Sequence, residues 1–113
     1  MKIINIKSSK ESVNMDNVFI VLVSYGLLIR GAVETTYVYN VSYSEETAWT
    51  VIERDINDRI AKNKFGNPYI NIYPESRFIR VTLSTLPIHC GCNDTDIIYK
   101  YHDYKIINKP ITD

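Results

Sequence analysis

Residues 33–62 read VETTYVYNVSYSEETAWTVIERDINDRIAK, and the hydrophobic period changes inside them. From Val33 to Tyr43 the chain alternates, with Thr35, Tyr37, Tyr39, Val41 and Tyr43 on one side and Glu34, Thr36, Val38, Asn40 and Ser42 on the other, the pattern of a strand. After Ser44 the apolar positions Ala48, Ile52, Ile56 and Ile60 recur every four residues, widened by Trp49 and Val51, which is the stripe of a helix. Ser44 suits an N-cap, and Glu45 and Glu46 suit the positive end of the helix dipole. Glu53, Arg54, Asn57, Asp58 and Lys62 fall on the opposite side. Arg54–Asp58, Asp55–Arg59 and Asp58–Lys62 stand at the i,i+4 spacing of solvated ion pairs. Gly66-Asn67-Pro68 cannot extend a helix, so it is predicted to stop between Asn63 and Phe65.

Working outward, Val18–Ile29 (VFIVLVSYGLLI) predicts one long strand, or two bent at Gly26, forming a hairpin with Val33–Tyr43 across Gly31-Ala32. Downstream, Tyr69–Tyr73 and Arg77–Leu83 form a second hairpin around Pro74-Glu75-Ser76, with Ile79, Val81 and Leu83 on one side and Phe78, Arg80 and Thr82 on the other. Ile97–Ile107 is a strand that changes face or turns at His102-Asp103. Lys2–Lys7 is a short first strand, 8–16 a loop and 109–113 a frayed tail. The reading is a single α+β domain: a mostly antiparallel sheet of about five or six strands with one amphipathic helix on one face, in the order strand-hairpin-helix-hairpin-strand. One helix cannot cover both sides of such a sheet. Its second face is left for water or a partner.

Within 113 residues, thirteen Lys and Arg balance thirteen Asp and Glu. That balance removes the basic field of a generic nucleic-acid binder and the acidic excess of a DNA mimic. The apolar run Val18–Ile29 is shorter than the roughly 20 residues of a spanning helix. It also lacks the flanks of an export signal, so no membrane partner is expected. Cys90 and Cys92 cannot staple distant elements, and a reducing, cytoplasmic setting follows, the host cytoplasm if the protein is viral. Frequent Ile, Asn, Lys and Tyr, against few Ala, Gly and Pro, fit an AT-rich gene such as that of a phage or mobile element.

The metal-type ligands His89, Cys90, Cys92 and His102 supply the donors of a tetrahedral zinc site, but Cys-x-Cys is tighter than the usual ligand spacing. No cofactor is therefore expected, with zinc as the alternative. No P-loop, G-x-G-x-x-G, H-E-x-x-H or G-x-S-x-G is present, which disfavours an enzyme; a cysteine/histidine-dependent one would need His89, Cys90 and His102 to converge. Nine Tyr stand beside three Phe and one Trp, and most fall on predicted strands. Tyr37, Tyr39, Tyr73, Tyr99 and Tyr101, with Arg77 and Arg80, are the candidate contact residues, since tyrosine and arginine anchor binding surfaces at low entropic cost. The expected function is a small non-enzymatic protein-binding module, an accessory or inhibitory factor of a phage or mobile element, able to pair with itself through a sheet edge. The alternative is a single-stranded nucleic-acid platform in which Lys100, Lys105, Arg77 and Arg80 meet phosphates. It lacks electrostatic support.

Overall fold

The computed structural model describes residues 17–29, 31–89 and 95–111, and for 84–89 and 95–98 the backbone alone. The elements are β1 (Asn17–Leu27), β2 (Thr35–Ser42), α1 (Glu45–Ala61), β3 (Tyr69–Tyr73), β4 (Phe78–His89) and β5 (Thr95–Pro110), with a 3-10 turn at Pro74–Ser76. They build one antiparallel sheet of five strands in the order β2-β1-β5-β4-β3, with α1 on one face. This is the α+β architecture the hydrophobic periods predict. The expected strand Lys2–Lys7 and loop 8–16 lie outside the described residues.

The helix forms where the period changes. Ser44 sits in extended backbone, and its hydroxyl accepts from the Thr47 N–H at 3.3 Å. Ala48, Trp49, Ile52 and Ile56 are buried against Phe19, Val21 and Val23 of β1, Ile79 and Val81 of β4, and Tyr104 and Ile106 of β5. Ile52 and Ile56 are fully sealed, each contributing about 2 kcal/mol by area removed from water. Glu53 departs from the periodic reading: it is buried rather than solvated, because the packed stripe is wider than the four-residue repeat. The helix ends at Ala61, short of the expected limit, and Asn63 in left-handed backbone (φ 56°) turns the chain so that Phe65 folds back under the sheet.

Two strands depart from their sequence pattern. In β2 the alternation breaks at Tyr39, where the register against β1 jumps from Val21↔Asn40 to Leu22↔Val38. The bulge turns both Tyr39 and Asn40 toward the helix and leaves Val38 and Val41 on the other face, 59% and 57% exposed. β5 neither turns nor changes face at His102-Asp103; it runs unbroken from Thr95 to Pro110. Tyr101, His102, Asp103 and Tyr104 are all buried because β5 is the middle strand: the helix-side core covers His102 and Tyr104, and the side chains of Arg80 and Glu34 close over Asp103 and Tyr101 on the other face. Beyond Leu27, β4 and β5 continue as a pair as far as His89↔Thr95.

Candidate functional site

On the face away from the helix, the register arranges side chains in rows. Tyr69, Thr82, Tyr101 and Gly26 form one row; Asn71, Arg80, Asp103, Ser24 and Thr36 the next; Tyr73, Phe78, Lys105, Leu22 and Val38 a third. A polar row is thus flanked by aromatic and apolar ones. Among the described residues no element lies across them. Tyr69, Tyr73 and Tyr99 stand exposed.

Arg80 organises the centre. Its Nε and one terminal nitrogen donate to the two oxygens of Asp103 at 3.1 and 2.9 Å, while the guanidinium lies over the rings of Tyr101 and Phe78 at 5.2 and 5.7 Å. Such a forked, stacked pair holds the planar cation still. Burial pushes the Asp103 carboxyl up and Arg80 pulls it back; the hydrogen bond from Arg80 to Asp103 raises the guanidinium further. Tyr101 is sealed on this face without a covering layer. Its hydroxyl donates to Glu34 at 2.5 Å, that bond and then burial push the phenol up to about 12, and Gly26 supplies the space, since a Cβ there would sit 3.0 Å from the Tyr101 oxygen. Thr36 bonds Ser24 at 2.8 Å, closing the polar row. Beside Arg80, a hollow of about 360 Å³ is lined by Tyr73, Ser76, Phe78, Arg80 and Lys105.

Of the candidate contact residues, Tyr73, Arg80, Tyr99 and Tyr101 share this face, and Tyr37, Tyr39 and Arg77 do not. Tyr39 donates to Asp55 of α1 at 3.2 Å, and burial followed by Asp55 raises its pKa. Tyr37 packs edge-on against Tyr25 on the helix side. Arg77, in left-handed backbone (φ 51°), reaches back to the helix N-terminus and donates twice to Glu45, whose other oxygen accepts from the Trp49 indole. That clamp fixes the second hairpin to α1.

Of the metal candidates, only His102 has a described side chain. His102 lies beneath the helix side of the sheet, its ring against Phe65, Tyr104 and Tyr25. Thr95, opposite His89, is seven residues up β5, roughly 23 Å at strand rise, so the two histidine positions stand far apart. Cys90 and Cys92 lie outside the described residues, as does the side chain of His89. Among the described residues no three His, Cys, Asp or Glu groups gather, and no helix is long and apolar enough to cross a membrane.

Sequence reasoning missed Asp55. It accepts from Tyr39, from Tyr104 at 2.5 Å and from Arg59 at 3.0 Å, joining helix and sheet through one carboxylate. Its signal was present: residue 55 follows Ile52 by three and precedes Arg59 by four, at the margin of the apolar stripe.

The fold and this patch define a small α+β domain with one helix-covered sheet face and one tyrosine-bearing face that no described element covers. No family model, curated protein or solved structure matches the chain.

Proposed function

We propose that the protein is a non-enzymatic binding module whose open sheet face docks a protein partner that presents a carboxylate beside an apolar or aromatic side chain. The observation that carries this reading is Arg80, immobilised between two rings and a carboxylate amid exposed tyrosines. A surface already held in one geometry loses little entropy on association. The hollow beside it fits a single anchoring side chain, with Tyr73 and Phe78 as apolar walls and Lys105 supplying positive charge, because Arg80 is neutralised by Asp103. The same pairing speaks against a phosphate track: Arg77 and Arg80 are both occupied by carboxylates, and Lys100 and Lys105 belong to opposite faces of β5.

A photo-crosslinking amino acid placed at Tyr69 or Tyr73, and separately at Lys62 on the outer helix face, tests the reading in cells that make the protein. One partner is expected from both sheet positions and not from Lys62, with its yield falling at least tenfold when Lys105→Glu is added. A product of twice the chain's own mass would assign the face to a second copy and overturn the proposal. So would the same partner captured equally from Lys62.

A further inference from the structure

On the opposite, helix side of the sheet, β1, β4 and β5 run past the C-terminal end of α1 and leave a cavity of about 720 Å³. That volume lies within the roughly 300–1,000 Å³ of small-molecule sites. Its aromatic walls are Tyr25, Tyr37, Phe65 and His102, and its cations are Arg59, Lys64 and Lys100. Among the described residues, no carboxylate lines it.

Two features mark it as more than a gap in packing. The first is His102. The residue is only 8% exposed, and its buried Nε2 has no hydrogen-bond partner. Leaving a buried polar atom unpaired costs about 1–3 kcal/mol, and an imidazole surrounded by rings has no chain neighbour positioned to relieve it. Burial, and then Arg59, lower its pKa to about 4, so at neutral pH the ring is uncharged and faces its surroundings as a neutral aromatic wall. The second is the fixing of the walls. Arg59 is anchored through Nε to Asp55 and lies over the Phe65 ring at 5.7 Å; Phe65 is tilted against His102 at 5.2 Å between centroids; Tyr25 lies nearly parallel to His102 at 6.2 Å. The walls are therefore rigid without an occupant.

We infer that this cavity is a binding site for a small planar aromatic anion, whose ring lies among Tyr25, Tyr37 and Phe65 and against the imidazole of His102, and whose carboxylate or phosphate is met by Lys64 and Lys100. An aromatic ring answers the aromatic walls, and a negative group answers Lys64 and Lys100, while Arg59 stays paired with Asp55 and serves as a wall. The site is separate from the open sheet face and does not depend on how that face is used.

The test uses the full chain with ¹⁵N-labelled histidine, in which two imidazoles, His89 and His102, give a simple spectrum. The probes are 2-naphthoate and adenosine monophosphate, with 2-naphthalenemethanol and adenosine as their uncharged counterparts. Titration with at least one anion to millimolar concentration is expected to move the His102 imidazole resonances saturably, through the ring placed against them. The uncharged counterpart should bind at least tenfold more weakly. The combined substitution Lys64→Gln and Lys100→Gln, at exposed positions that leave the core intact, should weaken the anion at least tenfold with an unchanged melting curve. An unmoved His102 resonance with both anions, equal binding of anion and neutral counterpart, or binding indifferent to the two lysine substitutions would each overturn the assignment.

Discussion

Replacing Tyr104 with Phe removes one oxygen from the centre of the molecule and little else. Tyr104 is fully buried, and its hydroxyl donates to Asp55 Oδ2 at 2.5 Å, an oxygen that also accepts from Arg59 Nε at 3.0 Å. Burial, followed by Asp55, pushes the phenol above the ordinary tyrosine range, so it remains a donor wherever the protein is folded. A hydrogen bond to a charged acceptor contributes about 1.5–3 kcal/mol, and Asp55 keeps Arg59 and Tyr39 after the change. The expected cost of Tyr104→Phe is about 2 kcal/mol, or about 8 °C in Tm at about 4 °C per kcal/mol for a domain of this size. In an Asp55→Ala background the sign changes. There the phenol is stranded in a dry core, and Tyr104→Phe should be neutral or stabilising. Urea unfolding of the four proteins of this cycle, with a common m-value, measures the coupling. Equal costs of Tyr104→Phe in the two backgrounds, within about 0.5 kcal/mol, would refute the claim that this bond ties sheet to helix.

Two further outcomes follow from the same packing. His102 titrates near 4 in the native state against about 6.5 when unfolded, so the unfolded chain alone takes up the proton between these values. The stability held by the neutral ring is complete above pH 6.5 and gone by about pH 4, a loss with a ceiling near 3 kcal/mol that solvent access through the cavity reduces to about 2 kcal/mol. Denaturant midpoints should show wild type losing that much relative to His102→Phe between pH 7 and pH 4. At the hairpin, Arg77→Ala breaks the partly exposed link to Glu45 and should lower stability by about 1 kcal/mol. Arg77→Gly should cost about 0.5–1 kcal/mol less than the alanine variant, since φ 51° suits glycine; thermal melts of the pair decide this.

The local features were legible because local chemistry writes them. Ser44, the Ala48-Ile52-Ile56 stripe and the Ile79-Val81 alternation each report on neighbours within a turn or a pleat, and each sits where its pattern indicated. What was not legible depends on distant partners. The face of Tyr39 is decided by a bulge opposite Val21, and the burial of Tyr101 by Arg80 and Glu34 from other elements. Arg77 and Arg80 look alike in sequence, three residues apart, yet one clamps a helix and the other paves the open face. The four burials in succession from Tyr101 to Tyr104 read as a break in period only when the strand is assumed to have one dry side.

That middle strand also shapes how the molecule is made. β5 is emitted after every other described element and enters between two hairpins that do not otherwise pair. Without it the described strands make two separate ribbons, β1–β2 and β3–β4, whose facing borders are joined, among the described residues, by 95–110. Closing the sheet therefore requires pairings distant in sequence, the kind of contact that slows folding and leaves strand borders exposed until it forms.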